Sequence, residues 1–289
     1  MVIAMISVIT VYNNKKIFGD CLAKSLQKQT AKHELIGLDN TMGNFSSAAC
    51  ALNFGARQAL AESRYFLFAH QDIELLSPAF LEDVERQLSG LHDLGVAGVA
   101  GNSSQANRIL SNITHGMSGR SAGTAIQKPV QVMTVDECCA IVPRQVFEKF
   151  MFDETVCDSW HTYVVELCLR IRAAGLNVYV IPAALHHASL GTLNRSYFKT
   201  LKKVLRAHRK TFPLVYTTCG RWSARAPLFL QRGWLCALAL FYAVTNPLAE
   251  RGFVPKWMQA RIDRRHRLRD QRCIMDEGAD KPRGGGAHE

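Results

Sequence analysis

The residues best equipped for chemistry stand where an apolar run stops. Tyr65, Phe66, Leu67, Phe68 and Ala69 lead directly into His70, Gln71 and Asp72, with Glu74 close behind. Such a run suits a strand buried on both faces. An imidazole and carboxylates at its end gather groups able to hold a ligand or exchange a proton. Ligands of an open parallel sheet sit outside the carboxyl ends of its strands, and His70 and Asp72 share one side of an extended backbone. The plainer alternative is a strand followed by a polar turn. Two earlier apolar runs also end in polar residues, at Asn13-Asn14 and at Asp39-Asn40-Thr41, and a later one is followed by His186, His187 and Ser189. Repetition at one notional edge favours a site.

The elements that must position these residues alternate. Val2–Tyr12 is rich in β-branched residues and reads as a strand, and 17–29 has helical spacing. Glu34–Leu38 is a short strand. Ala48–Ser63 is an alanine-rich helix, and Ser77 as cap with Pro78 at the first helical position starts another that runs to about Leu91. Val96–Ala100 is a small-residue strand. Residues 103–128 lack periodicity and read as a loop over the site or an irregular excursion. Strands over 130–135 and 140–142 precede a short helix over 143–150. Tyr163–Ala174 is an amphipathic helix closed by Gly175, and Val178–Ile181 is the last strand of the pattern. Strand, helix, strand in succession means an α/β fold with a mostly parallel central sheet flanked by helices.

The 289 residues, 48% of them hydrophobic, are enough for a large core. Nine cysteines without a repeated CxxC pattern fit a reducing compartment, and the apolar N-terminus reads as a buried strand, not a signal peptide. The expected location is cytoplasmic. The net charge of +11 is concentrated: residues 199–272 carry 17 Lys and Arg against three acids, whereas residues 1–198 are close to neutral. Tyr197–Phe212 reads as a basic helix and Arg261–Arg272 as another. Trp234–Val244 is apolar but too short to span a bilayer. The rear segment is therefore expected to attach peripherally to an anionic membrane, at the inner face of the plasma membrane; the alternative is a helix packed on the domain with a solvated basic face. Nucleic acid is not an expected partner, because the rear aromatics cluster with aliphatics and do not interleave with the basic residues. The expected organisation is a domain over 1–212, a basic helical extension over 213–275 and a disordered tail over 276–289.

Taken in order, ISVITVYNN, DNT, LNFGA, HQDIEL and FDE...ELCLRIRAAGLNVYVIP...HHASLG resemble family 2 glycosyltransferases of the nucleotide-diphospho-sugar transferase (GT-A) fold. The HQD form and the Trp-His before the helix are most similar to the StrF-like glycosyltransferases of streptomycin biosynthesis. The resemblance covers about residues 3–210. It implies transfer of a sugar from a nucleotide-diphosphate donor to a hydroxyl on a glycan, lipid-linked saccharide or metabolite, by inverting displacement with a divalent metal, Mn2+ or Mg2+.

The resemblance also implies roles for individual residues. His70, Gln71 and Asp72 match the Asp-x-Asp that presents the cation, so Asp72 and His70 are metal ligands and His70 and Gln71 lie against the nucleotide-sugar. His187 matches a C-terminal metal-binding histidine, with His186 facing away. Thr10, Tyr12 and Asn13 match the loop that packs on base and ribose, Asp39 the acid that bonds the base, and Asn53 and Arg57 a helix facing the nucleotide. Val164 falls where the family carries its general base, and valine cannot take a proton. Asp158, His161, Asp136 and Glu137 are the substitutes, Asp158 foremost, with Trp160 beside it as a platform for the acceptor sugar. The missing base and the missing first aspartate also allow a different class of function, a catalytically silent nucleotide-sugar-binding or scaffold protein of the same fold.

Overall fold

The computed structural model describes residues 5–103, 108–116, 119–121, 123–189, 194–231 and 233. The chain divides into two compact units, Met1–Leu228 and Phe229–Glu289. The apolar run Trp234–Val244, the basic segment Arg261–Arg272 and the tail 276–289 lie outside the described residues. Among the described residues no helix is long and apolar enough to cross a membrane.

Strand β1 (Met5–Tyr12) is followed by a helical run α1 (15–26) whose middle turn, Gly19–Ala23, is a π-helix. Next come β2 (His33–Asp39), α2 (Ala48–Ala56), the central strand β3 (Ser63–Ala69), β4 (Ile73–Leu75) and α3 (Phe80–Leu88). Helices α2 and α3 are shorter than their sequence periodicity predicts. Residues 57–62 turn back into β3 after α2, and the Ser77 hydroxyl accepts from the Ala79 amide in a turn, so α3 begins at Phe80.

Short strands follow, of which β7, β8 and β9 lie in the stretch without periodicity: β5 (Leu94–Gly98), β6 (Ala100–Ser103), β7 (Arg108–Ser111), β8 (Ile113–His115), β9 (Arg120–Ser121), β10 (Val130–Gln131) and β11 (Thr134–Val135). That stretch is thus an excursion of small sheets, too short-stranded to show a repeat in sequence. Strand β12 (Cys139–Pro143), α4 (Arg144–Phe150), α5 (Tyr163–Ala173), β13 (Asn177–Val180), β14 (Leu185–His187) and α6 (Arg195–His208) follow. Helix α5 stops at Gly175, whose φ of +86° suits glycine; the Leu176 amide reaches back to the Ile171 carbonyl.

The main sheet has the order β10-β13-β5-β12-β3-β1-β2. Parallel pairing joins β1 to β2 and β3, and β13 to β5; β12 runs antiparallel between β3 and β5, and β10 antiparallel on the edge. The central strand is buried on both faces, as its composition predicts. Phe66 and Phe68 enter one core with α2, α4 and α5, while Leu67 and Ala69 enter the other with α1 and α3. A hairpin, β15 (Leu214–Thr217) and β16 (Gly220–Ser223), extends the first unit beyond residue 212. Its Trp222 is fully buried in the Phe66 core, and its backbone is tied to the Asn102 and Thr134 side chains.

Candidate functional site

Backbone register builds the site. A small sheet of order β4-β14-β8-β9 stands beside the end of β3. In it His187 pairs opposite Ile73 on one side and His115 on the other, and the Ala188 amide donates to the Asp72 carbonyl at 2.9 Å. The residue after β3's turn and the last residue of β14 are therefore forced together. His187 Nε2 lies 3.3 Å from Asp72 Oδ1, and the rings of His70 and His187 are 5.5 Å apart. The donor atoms of His70, Asp72 and His187 all lie within 4.8 Å of one another. Donors around one ion at about 2.1 Å sit roughly 3–4 Å apart, so this set fits a divalent cation with a small closure. His186 points elsewhere, its Nδ1 3.1 Å from the Thr114 hydroxyl.

The electrostatics suit ligation. Burial holds His70 below the usual histidine range, helped by neighbouring His187, so the ring is in its neutral, ligating form at neutral pH. Burial raises the Asp72 carboxyl, but the hydrogen bond and charge of His187, with His70 and Ser189, outweigh it and hold Asp72 below the ordinary carboxylate range. Asp72 is an anion at any physiological pH.

A second set of contacts fixes the loop after β1. Gln71 Oε1 accepts from the amides of Asn13 and Asn14, both at 3.1 Å, and its Nε2 donates to Asn13 Oδ1 at 2.8 Å. Tyr12 stacks flat on Phe18 with ring centres 4.5 Å apart. Asp39 accepts from the Thr41 hydroxyl and amide and pairs with Lys15 at 3.0 Å, which together keep its carboxyl low. Tyr12, Asn13, Asp39 and Gln71 therefore gather at one sheet edge with the His-Asp-His cluster.

Of the other expected nucleotide contacts, Thr10 and Asn53 are buried and Arg57 stands at the C-terminal end of its helix. Thr10 is fully buried in β1, and its hydroxyl has no hydrogen-bond partner among the described residues. Asn53 is buried too, bonded to both the amide and the carbonyl of Phe152 and to Glu154; it clamps α2 to the following loop. Arg57 caps the end of α2 that leads back to the start of β3. Because α2 runs counter to β3, that end is at the opposite edge of the sheet. A helical stripe read from sequence does not reveal which end of the helix meets the site.

The base candidates also separate. Asp158 pairs with Lys203 at 2.7 Å and Lys199 at 3.9 Å on α6, and the Lys203 bond keeps it below the usual range. Pairing with lysine lowers the basicity of a carboxylate, which counts against Asp158 as the proton acceptor. Both Asp136 oxygens are engaged, by the Cys138 amide at 3.0 Å and the Thr218 hydroxyl at 2.6 Å. His161 rests against Tyr197, and burial lowers its pKa. Trp160 is 39% exposed and open to a ligand. Val164 is fully buried.

Glu137 differs from all of them. Its Oε1 is buried without a hydrogen-bond partner among the described residues. The amides of Thr162 and Tyr163 face its carboxyl at the start of α5, and the Tyr163 hydroxyl lies 3.5 Å from both the Glu137 carbonyl and His70 Nε2. Burial, reinforced by Asp136, pushes the Glu137 carboxyl well above the ordinary range. Sequence reasoning missed His115, whose ring is 5.3 Å from His187, and Tyr163 and Thr218. None carries a motif: His115 sits in the segment without periodicity, and the other two arrive through long-range packing.

Residues 7–212 match the model of a family described as "Glycosyltransferase like family". A protein of Fuscovulum blasticum, "ATP synthase subunits region ORF 6", is 24% identical over 204 residues, covering 66% of this chain and 78% of its own length. Among solved structures, GalNAc-T7 with UDP, GalNAc and Mn2+ superposes with a TM-score of 0.50 at 10% identity, covering 70% of this chain. This chain spans about half of that one, 48%. The catalytic domain of Drosophila β1,4-galactosyltransferase 7 with xylobiose gives 0.43 at 15% identity, covering 69% of this chain and 80% of that one.

Proposed function

This chain belongs to the glycosyltransferase-like family, and from that premise we propose that it moves a sugar from a nucleotide-diphosphate donor to a hydroxyl acceptor. One observation carries the reading: His70, Asp72 and His187 converge at the carboxyl edge of the sheet, beside the loop that Gln71 pins. These three residues would hold a divalent cation. Two imidazoles with one carboxylate suit Mn2+ better than Mg2+, which prefers an oxygen shell. The similar fold of a UDP- and Mn2+-bound glycosyltransferase supports the same choice. Such an ion, when bound, neutralises the charge that develops on a departing diphosphate.

The chain's own residues supply the remainder. Gln71 orders the Asn13-Asn14 backbone; Tyr12, backed by Phe18, offers an aromatic edge to a base, and Asp39 is the hydrogen-bond acceptor nearby. Trp160 is the platform for an acceptor sugar, consistent with its exposure. The sequence resemblance extends the proposal to family 2, to its StrF-like branch, to inversion by direct displacement and to a saccharide or lipid-linked acceptor. The basic rear segment and the acid-free helix α6 support a cytoplasmic enzyme attached to an anionic membrane surface, which liposome sedimentation at low and high salt tests.

A second reading has its own support. Val164 is buried where the family carries a base, and Asp158 is locked to two lysines, as befits a silent nucleotide-sugar-binding protein. Incubating the full chain with a panel of UDP-, GDP- and dTDP-sugars, with Mn2+ or EDTA, separates the readings. Metal-dependent release of free nucleotide supports the transferase. Nucleotide binding without any turnover supports the silent form.

A further inference from the structure

We propose that Glu137 is the proton acceptor for the incoming hydroxyl, in place of the carboxylate that Val164 lacks. The inference rests on the transferase reading above. Its geometric basis is that Glu137 supplies a carboxylate from outside α5 to the first turn of α5, where residue 164 itself offers only a buried valine.

Three features support the assignment. First, the backbone is strained to make the contact: Thr162, a β-branched residue, sits at φ 64°, ψ 9° immediately before α5. Such a residue rarely adopts the left-handed region, and strain of this kind persists where surrounding structure enforces it. The turn carries the Thr162 and Tyr163 amides onto Glu137. The Thr162 side chain itself makes no capping hydrogen bond to the helix.

Second, the carboxyl is left with spare capacity. Oε1 is buried and unpaired among the described residues, an unfavourable arrangement that a substrate hydroxyl would relieve. Asp136, by contrast, has committed both oxygens, to the Cys138 amide and the Thr218 hydroxyl, and Asp158 holds one oxygen against two lysines.

Third, Glu137 adjoins the cation-binding cluster without being part of it. The Tyr163 hydroxyl lies 3.5 Å from both the Glu137 backbone carbonyl and His70 Nε2, so one side chain links the Glu137 backbone to the cation-binding cluster. The charged and titratable groups around it are Asp136 on its own strand end, Tyr163 of α5, Cys157 before it, Tyr197 of α6 and Cys219 of the hairpin. No lysine or arginine is among these neighbours. Burial and the neighbouring Asp136 raise the Glu137 carboxyl above the ordinary range, the direction a proton acceptor requires.

The step balances as a displacement. The acceptor oxygen forms its bond to the anomeric carbon and gives its proton to the Glu137 carboxylate. The bond from that carbon to the diphosphate oxygen breaks, and the nucleoside diphosphate leaves with the electron pair. The carboxylic acid then returns its proton to solvent.

The test uses the full-length chain with Mn2+, hydrolysis of a UDP-sugar, with water as the acceptor, and calorimetric binding of UDP. Glu137→Gln keeps an oxygen that can accept from the two amides, so a merely structural role leaves turnover near the wild-type level. The proposal expects UDP affinity within about twofold, turnover reduced at least about a hundredfold, and loss of the rise in rate with pH seen in wild type. Formate added to Glu137→Gly restores at least tenfold of the loss. Glu137→Gln with more than a third of wild-type turnover, or with the pH rise intact, overturns the assignment while leaving the transferase reading in place. A wild type that binds UDP and hydrolyses no donor overturns both.

Discussion

Removing the Gln71 side chain should loosen the nucleotide edge without touching the cation-binding set. Gln71→Ala deletes three hydrogen bonds, at 3.1, 3.1 and 2.8 Å, that hold Asn13 and Asn14 to the end of β3. A protein hydrogen bond contributes about 0.5–1.5 kcal/mol net, and exposed ones sit at the lower end. The expected loss is therefore about 1–1.5 kcal/mol, part of it global stability and part the local order of the loop. Asn14 also caps α1 through the Ile17 amide at 3.1 Å, so the disorder stops at that helix. A nucleotide that needs the loop in place must supply the missing local order from its own binding energy, which corresponds to at most about a tenfold weaker affinity. Denaturant unfolding reads the first effect, and calorimetric titration of UDP with Mn2+ present reads the second. Asn13→Ala keeps both amide bonds and should show about a third of each loss. UDP affinity unchanged in Gln71→Ala, with stability lowered as expected, would refute the placement of the nucleotide against this loop.

Two further outcomes follow from the packing. Trp222→Ala removes a fully buried ring that donates to Thr217 and meets Phe198 edge-on at 5.9 Å; it should cost about 3–5 kcal/mol. Thermal unfolding would then fall by roughly 8–16 °C for a unit of this size, and a loss below about 2 °C would mean that the hairpin is not part of the main core. His161 is held below its ordinary pKa by burial, so between the unfolded value of about 6.5 and the lower folded value the unfolded chain binds more protons. Stability conferred by the neutral ring is complete above that window and is lost as pH falls through it. His161→Gln should flatten the decline in unfolding free energy between pH 7 and 5, by up to about 1.4 kcal/mol per pH unit; parallel profiles for the two proteins would contradict this.

Much of the scaffold was legible because its strands are short apolar runs that stop abruptly. Phe66 and Phe68 alternate with Leu67 and Ala69 into two cores, and that alternation is a local property of sequence. So is the polar cluster that ends each run, which is why Asp72, His70 and His187 could be named in advance. What joins them is not local. The pairing of β14 with β4 and β8 brings His187 against Asp72 across more than a hundred residues, and His115 enters by the same pairing from a stretch without periodicity. The capture of Asp158 by Lys199 and Lys203 depends on where α6 lies, which the spacing of those lysines alone does not state. Asn53 and Arg57 share the predicted helix, but one clamps Phe152 and the other sits at the far end. Glu137 reads in the sequence as one carboxylate among several; that its Oε1 is buried without a partner among the described residues emerges only from the fold.

The central claim is that Asp72, His70 and His187 form one cation site that serves a nucleotide diphosphate. Titration of Mn2+ into the full chain in the presence of UDP, followed by the loss of the free-ion electron paramagnetic resonance signal, tests it most directly. Asp72→Asn preserves shape but removes the anion that lies 3.3 Å from His187 Nε2. One UDP-dependent Mn2+ is expected per wild-type chain, with affinity lowered at least tenfold in Asp72→Asn and circular dichroism unchanged. Equal Mn2+ affinity in the two proteins, or none in wild type with UDP saturating, would contradict it.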